Sequence, residues 1–353
     1  MSEHNGAVRF APELAGPADP VTVTPPRRPG SVRRTTTIDV SRPEGVPGPL
    51  LFDARGRDLL TRPAGEGETE IASASFEVPQ DAFGLLGRFS IRDGQRPPAG
   101  LDLGSLSGIS VATGFRKALA VIDALGADPG GLWHLLLDDL VGARIVSGLA
   151  QQYEETAAGG GPMHDGIYAN PDDLALYQGD ICAGWARDAT MLRELGQTGD
   201  LPVSVGPPAP DLQGDDPVGW HHMAPLEPHS VRRRRRLDVG PPDDGGVAPI
   251  DVHFRDSHCD ADGLERVVHE YSIEGGLDLR ADAISAIDAR SHVLPWVECP
   301  AAVASAKRVI GVPMGDLRDH VRLELRGVTT CTHLNDVLRS LADLGHLAAH
   351  VSD

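Results

Sequence analysis

Pro228-His229-Ser230-Val231-Arg232-Arg233, running on through Arg234, Arg235 and Arg236 to Leu237-Asp238-Val239, restates an earlier stretch of the same chain. That stretch is Pro29-Gly30-Ser31-Val32-Arg33-Arg34, ending Ile38-Asp39-Val40, about 200 residues upstream. Agreement at both ends of the segment predicts an internal duplication in which each copy opens with this strand. In the alignment, Arg232 to Arg236 stand against Arg33, Arg34, Thr35, Thr36 and Thr37. Three of the five positions tolerate a neutral residue, so the charge is not what the architecture demands. Side chains of a strand alternate between faces. In a chain this acidic, the run is expected to pair with carboxylates of its own domain or to guard a sheet edge. The alternative reading of five arginines, nuclear import or nucleic-acid binding, is disfavoured.

Working outward, the first copy offers strand-like segments at Thr36 to Val40, Leu50 to Asp53, Ser73 to Val78 and Arg88 to Arg92, then helix-like Gly114 to Leu125 and Leu132 to Ala150. The second repeats the order with Arg234 to Val239, Ile250 to Arg255, Arg266 to Ile273 and Ala283 to Ala289, followed by three helical segments. Pro300, suited to a first helical position, and Gly311, suited to a left-handed cap, bracket a helix over Pro300 to Ile310. Asp316 to Arg326 reads as helix by its Leu317, Val321, Leu325 spacing, although Val321 to Leu325 also alternates as a strand does. Leu334, Val337, Leu338, Leu341 and Leu344 form one apolar stripe, with Thr332 as its cap and Asn335 three residues on. The fold class is α+β, each copy an antiparallel sheet followed by helices. The expected organisation is a flexible, proline-rich leader over 1–30, a first copy over 31–153, a linker over 154–227, and a second copy over 228–353. Gly159-Gly160-Gly161-Pro162 and Pro202 to Pro217 mark the linker, and the apolar patch Cys182-Ala183-Gly184-Trp185 within it is expected to dock onto a domain.

The net charge of -19 opposes binding to phosphate backbones or anionic membranes. The first residues lack a basic start and apolar core, and no apolar run approaches a membrane-spanning length, so a cytoplasmic protein is expected. In that reducing setting the four cysteines, Cys182, Cys259, Cys299 and Cys331, read as free thiols, ligands or nucleophiles. All lie after residue 181, so the first copy holds no thiol chemistry.

Cys299 directly precedes Pro300 and Cys331 directly precedes Thr332, placing both at helix starts, where unpaired N–H groups and the helix dipole favour thiolate. His333 stands beside the second, and His269 alternates with apolar neighbours in Val267-Val268-His269-Glu270-Tyr271. Cys299, Cys331, His269 and His333 are therefore the candidate metal ligands, with Cys182 as a possible fourth, and Cys331 and His333 the candidate catalytic pair. Against this, cysteine is often buried for packing alone and a strand histidine is usually structural. Asp138-Asp139 aligns with Asn335-Asp336 and reads as a shared cap or a contact between copies.

Glu298-Cys299-Pro300-Ala301-Ala302-Val303-Ala304-Ser305-Ala306, followed by Cys331-Thr332-His333-Leu334-Asn335-Asp336, resembles the bacterial domain of unknown function 2889 family over about residues 228–345. More remotely, the order of elements resembles the iron-sulfur scaffold fold of the IscU and SufE type. That likeness implies cysteines at two helix starts and one loop holding zinc or an iron-sulfur cluster, or carrying sulfur. Cys299 and Cys331 match two of the three; at the third stands His269, with Cys259 as rival, and a histidine there ligates metal but relays no persulfide.

The leading expectation is a protein binding zinc or iron, possibly as an iron-sulfur cluster, through these residues. The rivals are a small-molecule lyase or hydrolase working through a cysteine thiolate with histidine as acid or base, and a non-catalytic assembly protein. A small molecule or a protein is the expected partner, and the first copy is expected to pack on the second as an intramolecular pseudo-dimer.

Overall fold

The arginine-rich strand alternates as expected, and it lies at the centre of a sheet. The computed structural model describes residues 8–45, 48–63, 66–159, 175–176, 178–198 and 201–351. Its strands are β1 (Val8–Phe10), β2 (Val32–Ser41), β3 (Leu50–Thr61), β4 (Glu68–Gln80), β5 (Ser90–Gly94), β6 (Leu201–Val203), β7 (Val231–Val239), β8 (Val247–Cys259), β9 (Glu265–Asp278) and β10 (Ala283–Val293). The helices are α1 (Phe115–Leu119), α2 (Asp123–Ala127), α3 (Leu132–Ala157), α4 (Thr190–Thr198), α5 (Met314–Glu324), α6 (Thr332–Ser340) and α7 (Leu344–Ala348). The fold is mixed α+β: one eight-stranded antiparallel sheet, ordered β10-β9-β8-β7-β2-β3-β4-β5, with helices against it.

The two halves of the sheet join through β2 and β7, which run antiparallel with Thr36 opposite Arg235. Those residues are also equivalents in the repeated segment, so the register reads alike from either half. Reciprocal ion pairs result: Arg33 Nε lies 2.7 Å from Asp238 Oδ1, and Arg232 Nε lies 2.7 Å from Asp39 Oδ1. Because β7 is central, edge protection is not its role. All five arginines are buried and committed to internal carboxylates: Arg232 to Asp39, Arg233 to Asp256 and Asp336, Arg234 to Glu265, Arg235 to Asp139, and Arg236 to Asp238 and Asp251.

Alternation sends Arg233, Arg235, Leu237 and Val239 to the helix-covered face, where α3, α5, α6 and α7 pack two apolar cores, one mainly on each half. Arg232 and Arg234 emerge on the other face. Extended chain covers that face, with Trp220 and Met223 packed beside Leu212 and Val21.

This cover corrects the expected flexible leader. Residues 8–30 are laid down: β1 pairs in parallel with β6, Ala18 bridges Val293, and Arg33 donates to the Pro25 carbonyl at 2.8 Å. Val21 receives a bond from Arg255 at 2.6 Å and donates its N–H to Glu270 at 2.8 Å. Backbone groups anchor this segment to buried charges, which is why hydrophobic periodicity did not reveal it. Residues 1–7 and the glycine-rich part of the linker, 160–174, lie outside the described residues.

Three helical expectations also shift. Gly114 to Leu125 divides into α1 and α2. Cys299–Val309 is a 3-10 helix, and its three-residue repeat sets Cys299, Ala302 and Ser305 on one buried line. The cap of α6 is Cys331, whose carbonyl accepts from Asn335 N–H at 2.8 Å, while Thr332 is already helical. Asp316 to Arg326 resolves as helix, in α5.

Candidate metal centre

Asp256 sits on β8, opposite His269 of β9, immediately before a register shift that pairs Ser257 with Val267. The odd-numbered run of β7 brings Arg233 beside Asp256, and the first turn of α6 delivers His333 from above. The imidazoles of His269 and His333 stack with centroids 3.5 Å apart and planes 18° from parallel. His269 Nδ1 is 3.8 Å and His333 Nε2 4.0 Å from the same oxygen, Asp256 Oδ2. All three residues are buried, and neither of those ring nitrogens has a hydrogen-bond partner.

Electrostatics keep both rings neutral. Burial, reinforced by Arg233, lowers His333 to about 3. Burial and the neighbouring His333 push His269 well below the ordinary imidazole value. Asp256 is gripped by Arg233 through Nε–Oδ1 at 2.9 Å and Nη2–Oδ2 at 3.0 Å. Arg233 Nη1 continues to Asp336 at 2.8 Å. Burial alone would raise the Asp336 carboxyl, but Arg116 and Arg233 hold it well below the usual carboxylate range.

The cysteines form a second group. The Tyr271 hydroxyl donates to Cys331 Sγ at 3.2 Å. Burial first, and then Cys331, raise both Cys182 and Cys299; burial first, and then all three thiols, raise Tyr271. The segment around Cys182 is seated here by Ala183 N–H on the Thr330 carbonyl at 2.9 Å. A Cβ at Gly184 would fall 2.7 Å from Cys299 Sγ, so only glycine admits this approach.

The expectation that helix starts activate these thiols is overturned. Burial raises Cys331 despite the Tyr271 hydroxyl and the backbone N–H groups of Leu334 and His333. Burial and the adjacent cysteines lift Cys299 well above the ordinary thiol value, and push Cys182 up to about 12. Cys259 lies apart at the end of β8, raised to about 11 by burial and Glu265. In a buried site the desolvation of thiolate exceeds what one helix dipole returns.

Of the four residues expected to ligate metal, the structure brings His269 and His333 together, sets Cys331 against the Tyr271 hydroxyl and places Cys299 against Gly184. Among the described residues, the group of three or more whose donor atoms lie within 4.8 Å of one another is Asp256, His269 and His333. Sequence reasoning missed Asp256. Its signal was positional: it is the carboxylate that β8 sets between Arg233 on one side and His269 on the other.

Residues 231–346 match a family model described as "Protein of unknown function (DUF2889)". The match runs from the first residue of β7 into α7 and contains Asp256, His269 and His333. No curated protein and no solved structure matches the chain significantly. The expected likeness to the iron-sulfur scaffold fold therefore finds no support. No helix among the described residues is long and apolar enough to cross a membrane.

Proposed function

We propose that the second half of this chain binds one zinc or iron(II) ion through Asp256, His269 and His333. The observation that carries the reading is the pair of buried ring nitrogens without hydrogen-bond partners, converging on one carboxylate oxygen. A buried polar atom left unpaired costs about 1–3 kcal/mol, and two at one point call for a common partner. Two neutral imidazoles and a carboxylate form a donor set that suits these ions. Metal–nitrogen bonds of roughly 2.1 Å set tetrahedral donors about 3.4 Å apart, so each histidine nitrogen, 3.8 and 4.0 Å from Asp256 Oδ2, needs to close on that oxygen by about half an ångström. Arg233 then orients Asp256 as an outer partner and tempers the affinity through its charge.

The duplication belongs to the same reading: the first half is a diverged copy without the imidazoles, packed on the second as an intramolecular pseudo-dimer. The symmetric register of β2 with β7 and the reciprocal pairs Arg33–Asp238 and Arg232–Asp39 support it. The cysteine-nucleophile alternative is the weaker one, since every thiol is buried and raised.

Metal analysis of protein purified without added metal is expected to give one zinc or iron per chain. His269→Ala and His333→Ala are each expected to empty the site, while Cys299→Ser and Cys331→Ser retain it. Absence of stoichiometric metal, with no uptake of zinc(II) or iron(II) in competition titrations, rejects the proposal. Retention in the histidine variants with loss in the cysteine variants moves the site to the thiols around Tyr271.

A further inference from the structure

Where helices α1 and α3 of the first half face α5 and α6 of the second, the surface opens into a cavity of about 740 Å³. That is the size of a small-molecule site. Its wall carries Arg116, Lys117, Arg318, Arg322 and Arg339 against the carboxylates of Asp138 and Asp319, in a chain whose net charge is -19.

Part of this charge is structural. Asp138 is clamped by Arg116 at 3.1 Å and Arg339 at 2.6 Å; Arg116 reaches Asp336 at 2.6 Å, and Arg318 pairs with the buried Asp343. Arg322 pairs with Asp319 at 3.0 Å on the rim. The network nevertheless leaves polar atoms idle. Arg318 Nε and Nη1 and His134 Nδ1 are buried and without a hydrogen-bond partner, and all belong to residues of the cavity wall. Burial, and then Arg318, lower His134 to about 4, so at neutral pH its ring is neutral; its one N–H goes to the Pro129 carbonyl, and Nδ1 is left as an acceptor. An unpaired guanidinium edge is among the costliest groups to desolvate, and a bound oxyanion is the partner that best offsets it. The remaining wall is apolar: Phe115, Leu119 and Val141, with Val121 at the mouth 79% exposed.

We infer that this cavity binds a small organic anion, its oxyanion group held by Arg318 and Lys117 and its apolar body lying against Phe115, Leu119 and Val121. The chemistry is a carboxylate or a phosphate monoester on a hydrophobic body. Neither the cysteines nor the metal centre takes part, so the inference stands apart from the proposed function.

Isothermal titration calorimetry of the full chain with phenyl phosphate and benzoate tests it, with inorganic phosphate and phenol as fragments. At least one aromatic anion is expected to bind about tenfold more tightly than inorganic phosphate, and phenol to give no heat. A preference for phenyl phosphate assigns a phosphate ester, and a preference for benzoate a carboxylate. Arg318→Gln is expected to weaken binding about tenfold or more, and Val121→Glu to weaken it by like-charge repulsion at the mouth. Should Arg318→Gln fail to fold, because buried Asp343 is left with Arg34 as its ion-pair partner, the exposed substitutions Lys117→Gln and Val121→Glu carry the test. No binding of either aromatic anion up to about 10 mM, or binding unchanged in Val121→Glu and Lys117→Gln, overturns the inference.

Discussion

In the first half of the sheet Arg34 holds Asp58 at 2.6 Å, and in the second Arg233 holds Asp256 at 2.9 Å. Each carboxylate stands directly opposite its arginine on the neighbouring strand, and each is followed at once by a register shift. Beyond this point the halves differ. Across the next ladder, Asp58 faces Ala72 whereas Asp256 faces His269. The repeat alignment that sets Asp138-Asp139 against Asn335-Asp336 places Leu136 where the second half has His333. The same strand geometry and the same buried ion pair thus exist with and without the imidazoles, so the ion pair does not depend on the histidines.

The largest expected effect tests the shared part. Arg34→Met strands Asp58, and Arg233→Met strands Asp256, each in a region with almost no solvent, while Asp343 keeps Arg318 and Asp336 keeps Arg116. Removing one partner of a buried pair costs about 3–5 kcal/mol, so both variants are expected to lose that much in denaturant titrations. Zinc(II) separates them: a cation at Asp256 restores part of the loss in Arg233→Met and none in Arg34→Met. Equal losses with no zinc effect in either would leave the halves chemically equivalent.

Next in size is acid sensitivity. Burial lowers His221 to about 3 and His253 to about 4, and does the same for His134. Each is neutral when folded and takes up a proton near 6.5 when unfolded. The unfolded state therefore binds more protons between roughly pH 6.5 and 4, and stability falls as pH falls through that window. The slope is up to about 1.4 kcal/mol per pH unit for each group. Asp138 and Asp336, both held well below the ordinary carboxylate value, add loss of the same sign below about pH 4. His221 bridges Thr35 and Thr37 in the first half, at 2.9 Å each, so His221→Gln is expected to flatten the slope without touching metal content. A pH-independent unfolding free energy between 6.5 and 4 would contradict the assignment of neutral buried histidines.

Most of the sheet was legible because alternation and the repeated segment locate eight strands, and the apolar stripe locates α6 and α7. The features that escaped were those set by pairing rather than pattern. The cover over the far face comes from backbone groups of Val21 and Pro25 meeting buried arginines, which leaves no periodic trace. At the site, the imidazoles could be picked out as residues, but Asp256 gains meaning only from the register of β8 with β7 and β9. The thiols misled because proximity to a helix start is visible in sequence and depth of burial is not.

The smallest effect is the sharpest. With metal removed by a chelator, His269→Ala deletes a ring whose Nδ1 makes no hydrogen bond, and puts at that ladder position the residue the first half already carries at Ala72. Loss of the stacked contact with His333 is offset in part by relief of an unpaired buried nitrogen, so a net change of about 1 kcal/mol is expected. With zinc(II) in excess, the wild-type chain gains stability by mass action and the variant does not, so the difference between them widens by about 2.7 kcal/mol at a hundredfold excess over Kd. A gap that stays constant across a zinc titration would mean that the histidine pair is packing, and that the two halves differ in filling rather than in chemistry.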